Sequence, residues 1–203
     1  MVNRSRALEI EERLRESIRT KEQVLEQLVP VIDRVAALLI EALEGGHKLL
    51  LFGNGGSAAD SQHIAAELVG KLLVRRRALP AIALTTDTSN LTALGNDFGY
   101  ESVFERQVEA LGQKGDVAIG ISTSGNSPNV LKAIQTARRM GLRTVALSGR
   151  GGGTLGGQVE HALLVPSDNT QRIQESHITI GHILCELIEA HFARMGHPST
   201  GSG

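Results

Sequence analysis

Apolar residues Ile10, Leu14 and Ile18, continued by Leu25 and Leu28, recur at helical spacing among many charges, so the chain opens on an amphipathic helix. Its apolar stripe needs a surface to pack on. A second helical stretch is predicted from Pro30 to Glu44, ending at Gly45 and Gly46, glycines able to take the left-handed cap conformation. The period then changes. Short apolar runs at 48–53, 81–84, 117–121 and 144–147 alternate with helix-like segments, and a fifth follows at 162–165. Strands separated by helices imply a parallel sheet covered on both faces. The expected fold class is therefore α/β: a doubly wound, five-stranded parallel sheet flanked by helices, with an N-terminal helical extension. The glycine-rich run at 149–157 reads as a mobile loop, and a last helix is predicted from Thr170 to about Met195. The closing PSTGSG is too small and polar to pack, so 197–203 reads as a disordered tail. With no internal repeat and no dividing linker, 1–196 is one domain, helices over 1–46 preceding an α/β core over 47–196.

A length of 203 residues suits one such domain and is ample for a hydrophobic core. Lys plus Arg total 21 against 22 for Asp plus Glu, a balance that gives no electrostatic reason to expect a nucleic-acid or membrane-surface partner. Any anion site must be local. The sole cysteine, Cys185, excludes an internal disulfide framework, fits a reducing compartment, and reads as a buried small hydrophobe. The charged amino end lacks the apolar core of a secretory signal and no later run is long enough to span a bilayer, so a cytoplasmic location is expected.

Two glycine- and serine-rich turns stand where a strand gives way to a helix. The first, Asn54-Gly55-Gly56-Ser57, follows KLLLFG; the second, Ser122-Thr123-Ser124-Gly125-Asn126-Ser127, follows VAIGI. Such turns attract anions, because first-turn amides lack partners within the helix, glycine lets a ligand approach the backbone, and the peptide dipoles favour negative charge. Ser127 as N-cap with Pro128 at the first helical position marks a helix start. Four hydroxyls in six residues can surround a phosphate without a cation. Each loop alone is as well explained by turns and caps, but both fall at carboxyl ends of predicted parallel strands, the edge where open α/β sheets place ligands. Neither pattern is a P-loop or a dinucleotide fingerprint, which argues against ATP and NAD.

The helix after the first loop carries His63 and Glu67, spaced i and i+4 and therefore on one face. The last helix carries Gln174 and His182, about 12 Å apart along its axis, which converge only if both side chains lean inward. Facing helices would combine two imidazoles, a carboxylate and an amide oxygen into a zinc-like set of ligands. His177 competes for the same role. Asn96 and Asp97, in the run GNDFG, are a further pair of candidate polar contacts, with a turn as the plain alternative. Arg75, Arg76 and Arg77, beside Pro80, read as a solvated connection rather than a binding patch.

Taken together, GNGGSAADSQHIAAEL, GNDFG, GISTSGNS and RIQESHITIGHIL, in that order, resemble the phosphoheptose isomerases of the sugar isomerase (SIS) fold. The resemblance runs from about Lys48 to Glu189 and includes the helical preamble. It implies a single SIS domain, a homotetramer with sites built between subunits, helices over 1–46 used in oligomerisation as well as packing, and conversion of sedoheptulose 7-phosphate to D-glycero-D-manno-heptose 7-phosphate for bacterial surface polysaccharide. Substrate contacts carried over by position fall on Asn54, Gly55, Gly56, Ser57, Glu67, Asn96, Asp97, Ser122, Thr123, Ser124, Ser127 and Gln174. One Zn²⁺ per subunit would be held by His63, Glu67, Gln174 and His182. Some relatives carry an acidic residue where this chain has Gln171, so no proton-transfer role is assigned there.

Moving a carbonyl from C2 to C1 requires a base that takes a proton from the carbon beside it and returns one to its neighbour, through an enediol. Glu67 is the candidate, and His182, whose imidazole can both accept and donate a proton, is the group to move the oxygen protons. A metal would polarise the oxygens, although a carboxylate bound tightly to zinc is a poorer base. The rival readings are a non-catalytic relative of the replication-initiator-associating type, an isomerase for another phospho-sugar, and a sugar-phosphate-sensing domain. The first lacks the glutamate that this chain has as Glu67, and no DNA-binding segment supports the last.

Overall fold

The computed structural model describes residues 4–195, and in it the break expected before Pro30 is absent: Arg4–Glu44 form one helix of 41 residues, α1. A proline inside a helix removes a donor and crowds the carbonyl four residues back, at a cost of about 3 kcal/mol. Pro30 lies on the exposed side, while Val24, Leu28, Ile32, Val35 and Leu39 are buried on both sides of it. Each such side chain contributes roughly 1.5–3 kcal/mol on burial, so packing carries the helix across the proline.

The five predicted strands form β1 (Leu49–Gly53), β2 (Ala81–Ala83), β3 (Val117–Ile121), β4 (Arg143–Ser148) and β5 (His161–Leu164). All pair in parallel, in the order β2-β1-β3-β4-β5. The connecting helices are α2 (Gly56–Val69), α3 (Thr88–Phe98), α4 (Glu105–Leu111), α5 (Pro128–Arg139), α6 (Gly153–Gly156) and α7 (Thr170–Met195). Alternation along the strands feeds two cores. Leu49, Leu51, Val117, Ile119, Val145 and Leu147 pack beneath α1, α2 and α7; Leu50, Phe52, Ala118 and Ala146 face the layer that contains α4 and α5. Gly120 belongs to the second face, where an added Cβ would sit 3.0 Å from Val130 and 3.2 Å from Ile134, so its missing side chain lets α5 approach. Cys185 is buried in the first core, and burial pushes its thiol up to about 12.

Three expectations need correction. Residues 149–157 are not an open loop throughout: Gly153–Gly156 form a single helical turn, Leu155 is buried, and its N–H donates to the Gly125 carbonyl at 2.9 Å. Asn96 and Asp97 lie in the last turn of α3 rather than in a loop turn. Within the arginine run, Arg76 is not solvated; its side chain is 1% exposed, lies 3.8 Å from Glu189, and donates to the carbonyls of Glu67, Leu68, Gly70 and Arg77. Glu189 in turn accepts from the N–H groups of Leu72, Leu73 and Val74. This knot replaces regular structure between α2 and β2. The proposed tail and the end of the domain at residue 196 lie outside the described residues. Among the described residues no helix is long and apolar enough to cross a membrane.

Candidate functional site

The strand order reverses direction between β1 and β3, and their carboxyl ends lie side by side, Gly53 opposite Ile121. A crevice opens there because the chain leaves the two strands toward different faces of the sheet. The two loops singled out from the sequence therefore meet. Gly53 allows this: an added Cβ would lie 2.7 Å from the Ile121 carbonyl oxygen and 2.8 Å from the Ser57 Cβ. Gly55, at φ 56°, makes the turn into α2 and provides no side-chain cap.

Asn54 is locked by a reciprocal amide pair with Asn129, whose 2.8 and 2.9 Å hydrogen bonds tie the first loop to the start of α5. The Tyr100 hydroxyl also donates to Asn54 at 3.3 Å. In the second loop the Ser122 hydroxyl lies 3.0 Å from that of Ser127 and 3.5 Å from that of Ser124. Ser127 occupies the N-cap position, but its hydroxyl makes no cap bond and turns toward Ser122 instead. Thr123 is half-buried and Ser124 exposed, so the hydroxyl cluster has a dry floor and an open rim. Ser57 is buried beneath the first loop, its N–H donating to the Asn54 carbonyl. Asn96 and Asp97 are exposed and bonded to each other at 2.7 Å.

Helices α2 and α7 run alongside one another, Gly181 against Ile64 and Gln174 against Gly56. This places His63 and His182 face to face, Nε2 to Nε2 at 2.9 Å, with the rings near perpendicular at 68°. The Glu67 carboxylate lies 3.4 Å from the His63 Nε2. The three ligand atoms all fall within 4.8 Å of one another. Two donors on a tetrahedral ion with bonds near 2.0–2.1 Å stand about 3.3 Å apart, so the two gaps from His63 suit a metal to within a few tenths of an ångström, and side-chain rotation can adjust Glu67 against His182. Gln174 is held elsewhere. Its amide lies over Gly56, seven residues or roughly 10 Å of helix before His63, at the mouth of the first loop. His177, the competing ligand, is fully buried behind α7, bonded to the Ser148 carbonyl at 3.2 Å, and burial pushes its pKa down to about 4.

The sequence reading passed over Asn129 and Asp60. Asp60 precedes His63 by one turn of α2, is 8% exposed, and its Oδ2 has no partner among the described residues. Burial raises its pKa, while His63 and His182 pull it down. The spacing of three residues from His63 was the available signal; only the burial makes it informative.

A profile of the SIS domain matches residues 14–149, more than half of the chain. The phosphoheptose isomerase of Aquifex aeolicus (strain VF5) is 59% identical over 175 residues, covering 86% of this chain and 92% of the relative. The chain belongs to the phosphoheptose isomerase family. Another phosphoheptose isomerase, from Geobacter sp. (strain M21), is 52% identical over 93% of this chain and 98% of its own length. Solved structures agree: the family member from Neisseria gonorrhoeae superposes with a TM-score of 0.86 at 44% identity, covering 91% of this chain and 98% of that one. The Francisella tularensis phosphoheptose isomerase gives 0.87 at 38% identity, covering 90% and 97%. Family membership makes the chain an isomerase and its five-stranded sheet the SIS fold.

Proposed function

We propose that this isomerase converts sedoheptulose 7-phosphate to D-glycero-D-manno-heptose 7-phosphate in bacterial heptose biosynthesis, with the phosphate on the serine loop and the reacting carbons at His63, Glu67 and His182. The observation that carries this reading is the separation of two kinds of chemistry along α2. The hydroxyls of the serine loop meet its start, where Gly53 lies opposite Ile121, and a carboxylate with two imidazoles follows about two turns later. An open-chain seven-carbon ketose phosphate spans a comparable length. Bound that way, it presents C1 and C2 to Glu67 while Ser122, Thr123, Ser124 and Ser127 hold the phosphate. Asn54, Gly55, Gly56, Ser57 and Gln174 line the path between, and Asn96 and Asp97 supply polar contacts from α3.

Glu67 takes the proton from C1 as the electron pair moves toward C2, and the same carboxyl returns a proton to C2 once the enediol has formed. His182 accepts the O1 proton and delivers one to O2, so the aldehyde appears at C1 and a hydroxyl at C2. Zinc on His63, Glu67 and His182, with Gln174 as a fourth ligand after reorientation, would supply Lewis-acid stabilisation of the oxygen charge that develops. A homotetramer, with sites shared between subunits, is supported by the apolar surface left open: Leu14 is 61% exposed, Leu25 69% and Leu73 68%. A cytoplasmic location follows from the substrate class.

The test is a panel of ketose phosphates with the product aldoses read by NMR, on wild type and Glu67→Gln. Wild type is expected to turn over sedoheptulose 7-phosphate, and Glu67→Gln to lose turnover with its fold and substrate binding retained. Undiminished isomerisation by the variant would overturn the mechanism, and preference for another ketose phosphate would overturn the substrate.

A further inference from the structure

The segment after β4 carries a charged group that the chemistry above does not use. The Gly149 N–H donates to the Thr123 carbonyl at 3.1 Å, which roots Arg150 beside the serine loop. A cavity of about 380 Å³ lies between them, its lining including Thr123, Ser124, Arg150, Ser167 and Asp168. Arg150 is the one cationic side chain among the described residues that line it. The guanidinium donates through Nη2 to the Pro166 carbonyl at 3.1 Å, and its Nη1 lies 3.5 Å from the Asp168 carboxylate. Arg150 is 59% exposed and Asp168 80%, so this ion pair is long, wet and weak.

We propose that Arg150 is the cationic arm of the phosphate site: its guanidinium leaves Asp168 and closes across the cavity onto the phosphate that the serine loop holds. This rests on the reading of that loop as the phosphate site. The loop provides hydroxyls and amides but no positive charge, so a bound dianion would keep most of its charge uncompensated. A guanidinium fork matches two phosphate oxygens, and a dianion competes well against a single carboxylate at 3.5 Å. Engaging the phosphate with both nitrogens means leaving the Pro166 carbonyl as well as Asp168, a swing of the long arginine side chain away from both partners. Arg150 thereby selects phosphorylated over unphosphorylated sugars.

Steady-state isomerisation, and binding of inorganic phosphate followed by calorimetry, are measured for wild type, Arg150→Gln, Arg150→Lys and Asp168→Asn. Arg150→Gln is expected to raise both KM and the Kd for inorganic phosphate by about tenfold, the equivalent of one charge-assisted hydrogen bond, with kcat and Tm little changed. Arg150→Lys recovers part of the loss. Asp168→Asn moves both constants the other way, because it removes a competitor and a repelling charge. The proposal is overturned if Arg150→Gln leaves both constants where they were, or if Asp168→Asn weakens binding as Arg150→Gln does, which would make the pair a strut of the loop. Inorganic phosphate needs no turnover. Loss of phosphate binding in Arg150→Gln together with a wild type inactive on sedoheptulose 7-phosphate would therefore uphold Arg150 and overturn the substrate alone.

Discussion

Replacing Gly56 by alanine puts a methyl group where the Gln174 amide now lies. Built on the observed backbone, the new Cβ falls 2.5 Å from Cδ and 2.7 Å from Oε1 of Gln174, and overlaps its Nε2 outright. The obstacle is the far end of a flexible side chain, so the amide swings away and the backbone stays. Leaving its preferred rotamer costs Gln174 about 0.5–1.5 kcal/mol. Alanine regains about 0.5–1 kcal/mol over glycine in a helix. The two nearly cancel, and at this chain length Tm should move by less than about 4 °C. Activity has no such compensation. The proposed hydrogen bond from Gln174 to a sugar hydroxyl, worth about 0.5–1.5 kcal/mol, disappears, and kcat/KM should fall about two- to tenfold. The assay is isomerisation by Gly56→Ala, Gln174→Ala and the double variant, beside their melting curves. Once the Gln174 side chain is gone, the methyl has nothing to displace, so the double variant should match Gln174→Ala. Wild-type kcat/KM in Gly56→Ala, or losses that simply add in the double variant, would refute the assignment of Gln174 to the substrate path.

Glu189→Ala should lower stability by more than about 3 kcal/mol, seen as a Tm loss of about 6–12 °C, because it strands three backbone N–H groups and the buried Arg76; an unchanged Tm would show that the knot between α2 and β2 carries no stability. His177 is held neutral by burial with a pKa of about 4, so its contribution is complete above the unfolded value near 6.5 and is lost as pH falls from there toward 4, about 3 kcal/mol in all. Urea titrations across that window should show the loss in wild type and not in His177→Asn; the same acid slope in both would assign it to carboxylates instead. His63→Ala should bind zinc below one ion per chain when wild type binds one, by elemental analysis of untagged protein; equal zinc in both would remove His63 from the site.

The sheet was legible in advance because each strand is a short apolar run bounded by helical periodicity, and β3 has the predicted limits, 117–121. The loops were legible as turns for a related reason: glycine and serine at a strand-to-helix junction shape the turn and start the helix whether or not a ligand binds there. His63 and Glu67 share a face by spacing alone. Asp60 was not legible, since an aspartate three residues from a histidine is ordinary until burial leaves one of its oxygens without a partner. Arg76 was misread for the same reason: a run of arginines looks solvated unless a carboxylate more than a hundred residues later is known to wait inside.

By itself the sequence determined whatever depends on neighbours within a turn or a strand: the order of elements, the faces they bury, and which short loops offer amides and hydroxyls. Tertiary structure decided the continuity of α1 through Pro30, the Asn54–Asn129 lock, the meeting of His63 with His182, and the seat of Gln174 over Gly56. Those outcomes rest on contacts between distant segments, where burial and close packing outweigh local preference.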